Sequence, residues 1–591
     1  MTSLIERDYF TDYEILKDPY AYFEAIRERG PVYQPPGKDY LIVTGFEETL
    51  EVLRDHDTFS AIIGLQGAAM ALPFTPEGSD ITDQIEAHRL QFLGGDLVVN
   101  LDDDAHSNLR ALVNTLFVPS RLKANEAFIA EYSDQMIREA VAKGEVDVIK
   151  TIATPFVTIV IADLLGVPVE DRQMFMDTIA MAPPPGNLDG DNDMSAEDHP
   201  FVIMGSYFAG YIADRSENPR DDVLTELATA ILPNGVKPPM QDIVQLGMFM
   251  FGAGQDTSAK LLGNSIKYLV EDLDLQAQLR GDPKKIPAFI EEVLRIEGST
   301  KQTARLARKD TEIAGVKIAA GTKILVALSA ANRDPKRWEN PAQLQLGRKR
   351  IIEHAAFGRG KHVCAGAPLA RVEVRVLLEK LLSETSHFEI DRAKHPNGVA
   401  DLSYEPSFII RGLAELHLKL TPREGFVAPE KPAIAATLPT GQAFSTGSSS
   451  LETLLADPAA KAVLVKHFPD IGPGPFLGIA NGFTLRGIAK VASRRFPAPA
   501  LDALDADLLR LAQGVAIDRK VALSTGATRL GDLLGNPVAV AVLEKHFAGI
   551  STDKRIGMAK GMTLRAMKKF APDQFTDEAL DALDAELCNL A

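Results

Sequence analysis

The chain has very little cysteine: Cys364 and Cys588 are the only two among its 591 residues. Two cysteines exclude a disulfide scaffold, a four-cysteine zinc site and an iron–sulfur cluster held by the chain's own cysteines. Any electrons that the protein uses must therefore come from another molecule.

Long hydrophobic runs and an excess of positive charge are also lacking. The longest apolar runs, such as residues 155–167, are shorter than the roughly 20 residues of a bilayer-spanning helix. Residues 1–7 show no signal-peptide hydrophobic region. The net charge of -18 disfavours nucleic acid as a partner, because phosphate binding needs a basic face. We expect a cytoplasmic protein with no membrane span and no nucleic-acid partner.

Length and periodicity indicate one large domain, a linker and a smaller helical region. A chain of 591 residues exceeds the size at which a single core stops growing. Residues 1–421 show mostly helical periodicity, clearest in residues 127–143, 240–271 and 365–383, with strand-like alternation in residues 311–328. Residues 422–450 are rich in Pro, Ala, Gly, Ser and Thr, as linkers are. The predicted fold class of residues 1–421 is mainly α with small β-sheets.

The C-terminal region contains an internal duplication. Residues of the first copy recur 79 positions later without a gap: Ser445 at Ser524, Lys466-His467-Phe468 at Lys545-His546-Phe547, and Leu501 at Leu580. Each copy places Asp457 or Asn536 before a proline at the start of an apolar run, which is typical of a helix start. We predict an all-α tandem repeat, residues 451–514 and 524–591, that serves protein interaction or oligomerisation.

Cys364 stands in a glycine-rich loop, residues 357–366, with the sequence FGRGKHVCAG. A lone cysteine is usually a small buried hydrophobe, so the interpretation depends on this context. The glycines allow the backbone to approach a flat macrocycle and leave amides free to hydrogen-bond a thiolate. A helix beginning near Ala365 would add its positive dipole end beside the sulfur. We expect Cys364 to be a stable thiolate.

All ten residues of this loop resemble the haem-binding loop of the cytochrome P-450 superfamily, and Leu369, Ala370, Arg371 and Glu373 continue the match. The resemblance implies that residues 1–421 have the cytochrome P-450 fold and bind haem b, iron protoporphyrin IX. It also implies that Cys364 is the axial ligand of the haem iron and that Phe357, Gly358 and Gly366 contact the cofactor. In that family the thiolate pushes electron density into the iron and favours cleavage of the oxygen–oxygen bond.

Residues 251–258, FGAGQDTS, lie midway along a long helical pattern and resemble the family's oxygen-binding groove. There, small residues such as Ala253 and Gly254 make room over the iron. Cleavage of O2 consumes two protons in a site that excludes water, so an alcohol and an acid are needed. The resemblance assigns these catalytic roles to Thr257 and Asp256. The alternative for Thr257 is a hydrogen bond back to a helix carbonyl.

Charged residues complete the resemblance. Haem propionates need cationic or hydrogen-bonding partners when they are buried. Four residues resemble the family's propionate ligands: His106, Arg110, Arg305 and His362. Three others, Glu292, Arg295 and Arg348, resemble its structural ion-pair network, which does no chemistry on substrate.

Two segments resemble the family's substrate-facing regions. Residues 183–200 would form a mobile cover, and residues 62–99 would offer apolar surface. The apolar residues of the second segment are Leu65, Ala68, Ala69, Met70 and Phe74.

The resemblance implies an enzyme, a haem-thiolate monooxygenase that inserts one atom of O2 into a small apolar substrate of terpenoid, fatty-acid or steroid type. Electrons would come from an external ferredoxin and ferredoxin reductase, with Arg359, Lys361 and Arg375 docking the acidic ferredoxin. Two alternatives stay open: a peroxide-driven peroxygenase, and a non-catalytic haem sensor or interaction protein that signals through the C-terminal repeats. The intact Asp256 and Thr257 pair disfavours the peroxygenase, which needs no proton relay.

Overall fold

The computed structural model describes residues 3–168, 171–172, 175–176, 200–395, 398 and 402–429 of the N-terminal part. In the C-terminal part it describes residues 444–446, 449, 451–468, 485–486, 498–512, 525, 528, 530–535, 537–547, 549–550, 564–568 and 575–587. The chain divides into two compact units, Met1–Pro432 and Ala433–Ala591.

Helices dominate the first unit. They are α1 Tyr13–Lys17, α2 Tyr20–Arg27, α3 Phe46–Arg54, α4 Thr82–His88, α5 Asp103–Leu116, α6 Pro119–Lys143, α7 Thr154–Leu165, α8 Pro200–Glu217, α9 Val223–Ala228, α10 Met240–Glu271, α11 Leu273–Gly281, α12 Ile286–Glu297, α13 Leu328–Ala331 and α14 Ala367–Glu384. Short 3-10 helices occupy Leu4–Glu6, Arg89–Gln91, Pro283–Lys285, Ile351–Glu353, Gly360–His362 and Arg392–Lys394, and a π-helix occupies Val148–Ala153.

The described strands of the first unit form three small sheets. They are β1 Val32–Tyr33, β2 Tyr40–Val43, β3 Phe59–Ser60, β4 Glu145–Asp147, β5 Thr303–Ala307, β6 Thr311–Ile313, β7 Val316–Ile318, β8 Lys323–Val326, β9 Thr385–Ile390 and β10 His417–Pro422. The largest sheet has the order β1-β2-β8-β5-β3, in which only the β2–β8 pair is parallel. The others are β4-β10-β9 and the hairpin β6-β7. The described residues therefore confirm a mainly helical unit with small sheets.

Helix α10 runs through the middle of the first unit. Its bounds, Met240–Glu271, coincide with the predicted helix because its apolar spacing continues for 32 residues without a break. It ends where Asp272 accepts a hydrogen bond from the amide of Leu275 and so caps α11. Its buried face packs against α7, α8 and α14, which fixes the position of residues 253–258 within the first unit.

A second apolar stretch consists of the π-helix and α7. The segment Val148–Leu165 is long and apolar enough to cross a membrane, which differs from our expectation that no such run exists. However, 72% of this stretch is buried inside the protein, as is typical of a core helix. Gly166, at φ 84°, ends it.

Two predicted boundaries move in the structure. Helix α6 begins at Pro119, earlier than predicted, because a proline suits the first turn of a helix. The predicted linker begins too early. Strand β10 extends to Pro422, the main-chain oxygen of Val427 accepts a 2.8 Å bond from Arg138, and Phe426 packs on the helical core. Residues 423–427 therefore belong to the first unit.

The second unit is described in part. Its helices are α15 Leu451–Ala456, α16 Pro458–His467, α17 Ala498–Ala512, α18 Leu530–Gly535, α19 Pro537–His546, α20 Leu564–Met567 and α21 Asp577–Leu587. Two separate hydrophobic clusters use equivalent positions of the duplicated sequence, for example Leu464 and Leu543, or Phe468 and Phe547. Most of the predicted linker and Cys588 lie outside the described residues.

Candidate active site

A cavity of about 350 Å³ lies between α5, α10 and the loop that carries Cys364. Its lining includes every residue predicted to contact the cofactor: His106, Arg110, Ala253, Gly254, Arg305, Phe357, Gly358, His362, Cys364 and Gly366. Thr257 lines it as well. These residues come from four separate stretches of the chain, 106–110, 253–257, 305 and 357–366, and meet in one space.

Cys364 is held by backbone hydrogen bonds on both sides. Its own amide donates to the carbonyl oxygen of Phe357 at 2.9 Å, and its sulfur accepts from the amides of Gly366 and Ala367. Burial raises the pKa of the Cys364 thiol above its ordinary value, and these two amides and the guanidinium of Arg110 offset only part of that rise. The sulfur thus lies at the N-terminus of α14, where donors favour a thiolate, and a metal cation at the sulfur would deprotonate it outright.

The glycines of the loop are required by its geometry. Gly358 and Gly360 have φ values of 69° and 74°, a region that residues with a Cβ rarely adopt. A Cβ at Gly360 would lie 2.2 Å from the main-chain oxygen of Leu53. The loop is also tied to His56, whose Nε2 accepts a 2.9 Å hydrogen bond from the amide of Lys361. Sequence reasoning missed His56, since a single histidine after a helix carries no pattern.

Two arginines and two histidines gather on one side of the cavity: Arg110, Arg305, His106 and His362. The rings of His106 and His362 have centroids 4.0 Å apart, and the Nδ1 atom of His106 is buried with no partner among the described residues. Burial, followed by the charge of Arg110, lowers the pKa of His106 to about 4, and burial lowers the pKa of Arg305 to about 10.

No carboxylate of the described residues pairs directly with this cluster, and Asp102 acts on Arg305 and His106 only through its charge. Arg305 donates to Thr303 and to the carbonyl oxygen of Ala304, and Arg110 donates to Asn114 and to the carbonyl oxygen of Val363. Within the described part of the chain, neither arginine forms a salt bridge with a carboxylate. Buried cations without counter-ions are unfavourable, so the arrangement suits a ligand with carboxylate groups, such as the two propionates of haem.

The α10 segment faces the same cavity. Ala253, Gly254 and Thr257 all line it, and their small side chains leave space beside the helix. The hydroxyl of Thr257 donates to the carbonyl oxygen of Ala253 at 2.9 Å, which is the alternative bond that sequence reasoning weighed. Thr257 therefore combines a helix back-bond with a position on the cavity wall.

Asp256 does not share that wall. Its Oδ1 lies 3.9 Å from Nζ of Lys260, and its Oδ2 is buried with no hydrogen-bond partner in the described structure. Burial raises the pKa of Asp256 to about 6, with Lys260 opposing and Glu405 adding to the rise. The structure thus separates the two residues that the resemblance paired: Thr257 lies at the cavity and Asp256 lies behind it.

The predicted ion-pair network lies away from the cavity lining. Arg295 donates to both carboxylate oxygens of Glu292, at 2.8 and 2.9 Å, and Arg348 Nε donates to the same carboxylate at 2.9 Å. Arg295 also donates to the carbonyl oxygen of Pro341 and lies 5.6 Å from the ring centroid of Trp338. These contacts join α12 to the segment that precedes the cysteine loop.

The substrate-facing predictions were only partly located. From residues 62–99, only Val98 and Val99 are among the described lining residues, because Ala68 is buried in another core and Met70 is half exposed. The predicted cover lies outside the described residues, except for Pro200 at the start of α8. Sequence reasoning missed three hydroxyl side chains of the wall: Ser299, Thr300 and Thr303. A cluster of hydroxyl residues directly after α12 was the available signal.

Comparison with known proteins agrees with this geometry. The family model for Cytochrome P450 matches residues 211–399. The chain is 27% identical over 409 residues to Cytochrome P450 109 of Bacillus spizizenii, covering 68% of this chain and 92% of the relative. Among solved structures, the substrate-free form of cytochrome P450 CYP150A6 from Mycobacterium marinum is similar at a TM-score of 0.66 and 42% identity, covering 71% of this chain and all of that one.

A further solved structure is CYP109E1 from Bacillus megaterium in complex with corticosterone, with a TM-score of 0.58 and 26% identity, covering 69% of this chain and 99% of that one. The 42% identity over the whole length of one relative, together with the cysteine loop and the cavity, shows the family. The chain belongs to the cytochrome P450 family, and it is a monooxygenase whose cofactor is haem b.

Proposed function

We propose that the enzyme inserts one oxygen atom from O2 into a small apolar substrate of terpenoid, fatty-acid or steroid type, with electrons from an external ferredoxin and its reductase. The observation that carries this proposal is one cavity that brings together Cys364, Thr257 and the cluster of two arginines and two histidines. A haem-thiolate centre next to a hydroxyl on an otherwise largely apolar wall suits oxygen activation.

In this proposal Cys364 would hold the haem iron through its thiolate, and the bound cofactor would supply the chemistry that cleaves the oxygen–oxygen bond of O2. The amides of Gly366 and Ala367 support the sulfur, as their hydrogen bonds to it indicate. The propionates are held by His106, Arg110, Arg305 and His362, which line the cavity. Phe357, Gly358, Ala253, Gly254 and Gly366 complete the surface against the cofactor.

Asp256 and Thr257 are the proposed catalytic residues. Thr257 lines the cavity, so its hydroxyl would be placed to donate a hydrogen bond to O2 there if it left the carbonyl oxygen of Ala253. Asp256 lies behind it with a pKa raised to about 6, so the carboxyl can hold and release a proton near neutral pH. An acid with a pKa near the working pH is the most efficient general acid.

The cavity lining favours an apolar substrate with a few polar atoms. Val98, Val99, Phe249 and Met250 provide apolar surface, and Ser299, Thr300 and Thr303 provide hydroxyl groups. A relative of this chain has been solved with corticosterone, a molecule of this type. We infer that the substrate orients a polar group toward these hydroxyls, because a buried polar group needs a hydrogen-bond partner.

The electron source is proposed to be a separate ferredoxin, since two cysteines cannot supply a cluster within this chain. Lys361 is exposed beside the cysteine loop, and Arg359 donates there to the carbonyl oxygen of Ile352. Arg375 pairs with Glu126 and Glu379, so it is less available for an acidic partner than predicted. We propose Arg359 and Lys361 as the docking cations and the cytoplasm as the location.

The C-terminal repeats are proposed to serve protein interaction or oligomerisation. Each described copy has its own hydrophobic cluster, which supports two separate helical repeats. Light scattering of the full chain, compared with a chain ending at Pro432, would test this role. A smaller number of chains per particle in the shortened protein would support oligomerisation through the repeats. The same number of chains per particle in both proteins would exclude oligomerisation as their role.

The substrate class is tested by a screen of terpenoids, fatty acids, steroids and aromatics for a low-to-high spin shift of the haem. Compounds that shift the spectrum are then incubated with ferredoxin, reductase and NAD(P)H, and separately with H2O2 alone. Oxygenated product only in the first assay supports the proposal, whereas product only with H2O2 identifies a peroxygenase. A normal reduced-CO spectrum without product in either assay would favour a sensor.

A further inference from the structure

Lys260 is a buried cation one helical turn beyond Asp256 on α10. Only 5% of the residue is exposed, although lysine is rarely buried without a partner. Its Nζ lies 2.6 Å from Oε2 of Glu405 and 3.9 Å from Oδ1 of Asp256. The ammonium group therefore stands between two carboxyl groups and is closer to Glu405.

The segment that carries Glu405 is shaped around this lysine. The amide of Glu405 donates to the carbonyl oxygen of Gly412 at 3.0 Å, and Tyr404 forms a β-bridge with Leu413, so residues 404–413 make a hairpin. A Cβ added at Gly412 would lie 2.0 Å from Cδ and 2.5 Å from Cγ of Lys260. The stem of Lys260 thus occupies the space that any other residue at position 412 would need.

The carboxyl of Asp256 is left without a hydrogen bond to this lysine. The 3.9 Å separation exceeds hydrogen-bond distance, and Oδ2 is buried and unpartnered among the described residues. Such a carboxyl responds strongly to any nearby charge, since little else compensates its ionised form. Among the described residues, Lys260 on α10 and Glu405 on the hairpin are the charged groups that act on it.

We propose that Lys260 and Glu405 form a positioning pair that sets the protonation of Asp256, the proposed proton donor next to Thr257. Lys260 stabilises the ionised carboxyl, and Glu405 draws the ammonium away and so keeps the carboxyl protonated to higher pH. The pair acts through Asp256 and touches no reacting atom. The inference rests on the proposed proton-relay role of Asp256.

The two members of the pair have opposite effects, which a purely structural tie would not have. In Lys260→Met the favourable charge is lost, so the pKa of Asp256 should rise. In Glu405→Gln the ammonium is released toward Asp256, so the pKa of Asp256 should fall. An opposite charge within roughly 4–6 Å shifts a carboxyl pKa by about one unit or more, which sets the scale of both changes.

The test uses the full-length holoenzyme with ferredoxin, reductase and NAD(P)H over a pH series. Because the protonated acid is the donor, turnover falls as pH rises through the pKa of Asp256. We expect this alkaline limb to move up by about one pH unit in Lys260→Met and down by about one unit in Glu405→Gln. The alkaline limb of the double variant Lys260→Met, Glu405→Gln should lie between the limbs of the two single variants. Lys267→Met, which removes a lysine paired with Glu271 on the same helix, should not move the limb.

A second readout does not depend on turnover. The carbonyl stretch of a protonated carboxyl in the infrared spectrum of the holoenzyme, assigned by its loss in Asp256→Asn, should titrate with the same opposite shifts. Lys260→Arg keeps the positive charge, so its infrared titration should return from the raised pKa expected in Lys260→Met toward the wild-type pKa of Asp256. The reduced-CO band reports whether each variant is folded with haem.

The outcomes separate this inference from the role of Asp256 itself. If Asp256→Asn leaves O2-dependent turnover unchanged, the proposed proton relay is wrong. If Asp256→Asn lowers turnover while Lys260→Met and Glu405→Gln shift neither the limb nor the infrared titration, the relay stands and the positioning pair is overturned. Equal losses of activity at every pH in Lys260→Met and Glu405→Gln would also overturn the proposal. They would show that the pair only holds the hairpin in place.

Discussion

Glu292 accepts two hydrogen bonds from Arg295, at 2.8 and 2.9 Å, with both side chains fully buried. The same carboxylate accepts from Arg348 Nε and from the amide of Gln345, each at 2.9 Å. These donors lower the pKa of Glu292 although burial raises it. Removal of one partner from a buried pair leaves an uncompensated charge, which costs about 3–5 kcal/mol.

We therefore expect Glu292→Gln to lower the free energy of unfolding by about 3 kcal/mol and to reduce haem content, measured by chemical denaturation and by the reduced-CO band. A carboxyl with a depressed folded-state pKa stabilises the fold above its unfolded pKa, and the benefit is lost as pH falls through the folded-state value. The difference from wild type should accordingly shrink below about pH 4. Glu271→Gln, which removes an exposed carboxylate paired with Lys267, should change stability by less than about 1 kcal/mol. Equal effects of the two variants would contradict a special role for the buried network.

The second prediction concerns the axial ligand. Cys364→Ser replaces the thiolate by a hydroxyl, so the variant should lose the thiolate-dependent reduced-CO band and the monooxygenase activity even where haem remains bound. Cys588→Ser removes the only other cysteine of the chain and should keep both. A normal band in Cys364→Ser would show that another residue holds the iron.

The third prediction concerns the hydroxyl of Thr257, which lines the cavity while bonded to Ala253. Thr257→Val keeps the shape of the side chain and removes the hydroxyl, so NAD(P)H consumption should continue while product falls by roughly 10²-fold and H2O2 accumulates. Thr257→Ser keeps the hydroxyl and should retain most of the product. One assay that measures product, NAD(P)H and H2O2 together tests whether the variant diverts electrons from product to H2O2. If Thr257→Val still forms product in proportion to the NAD(P)H consumed, the hydroxyl only makes its hydrogen bond to the carbonyl oxygen of Ala253.

The sequence carries contiguous signals for the local parts of this candidate site. The glycines around Cys364, the long apolar period of α10 and the small residues at 253 and 254 are all contiguous signals. Local chemistry dictates them, since a thiolate needs nearby amides and a cofactor needs close backbone approach. The bounds of α10 could also be predicted from the sequence, because the apolar periodicity of the helix is uninterrupted.

Contacts between distant segments were beyond such reasoning. In the sequence, Lys260 has the pattern of an ordinary helix lysine. The hairpin of residues 404–413 brings Glu405 next to it only in the folded structure. The same holds for His56, which meets the amide of Lys361 through the packing of α3 on the cysteine loop. The failed boundary at residue 422 has a related cause, because Phe426 packs on a core assembled from remote helices.

The fourth prediction follows from the corrected boundary. A chain ending at Pro432 keeps Phe426 and the bond from Arg138 to Val427, so it should retain haem and the reduced-CO band at wild-type levels. A chain ending at Pro422 loses both contacts and should unfold at lower denaturant concentration. Loss of haem from the longer chain would refute a self-sufficient first unit. Indistinguishable denaturation curves would show that residues 423–432 contribute nothing to it.

The fifth prediction tests the duplication. In the first copy the buried hydroxyl of Thr446 donates to Asp505 at 2.7 Å, and Arg486 donates to the same carboxylate at 2.8 Å. In the second copy Thr525 and Arg565 donate to Asp584 at the same two distances. Each carboxylate joins the start of its copy to the last described helix.

Asp505→Asn and Asp584→Asn should each destabilise the second unit by about 1–3 kcal/mol, because a buried threonine loses its charged partner, and neither should alter the reduced-CO band. Asp502→Asn and Asp581→Asn remove exposed partners of the same arginines and should cost less than about 1 kcal/mol. Distant independent sites add, so if the two copies fold separately the Asp505→Asn, Asp584→Asn double variant should show the sum of the single effects. A strongly non-additive result would mean instead that the two copies share one cooperative core, and the two-repeat boundary would have to be abandoned.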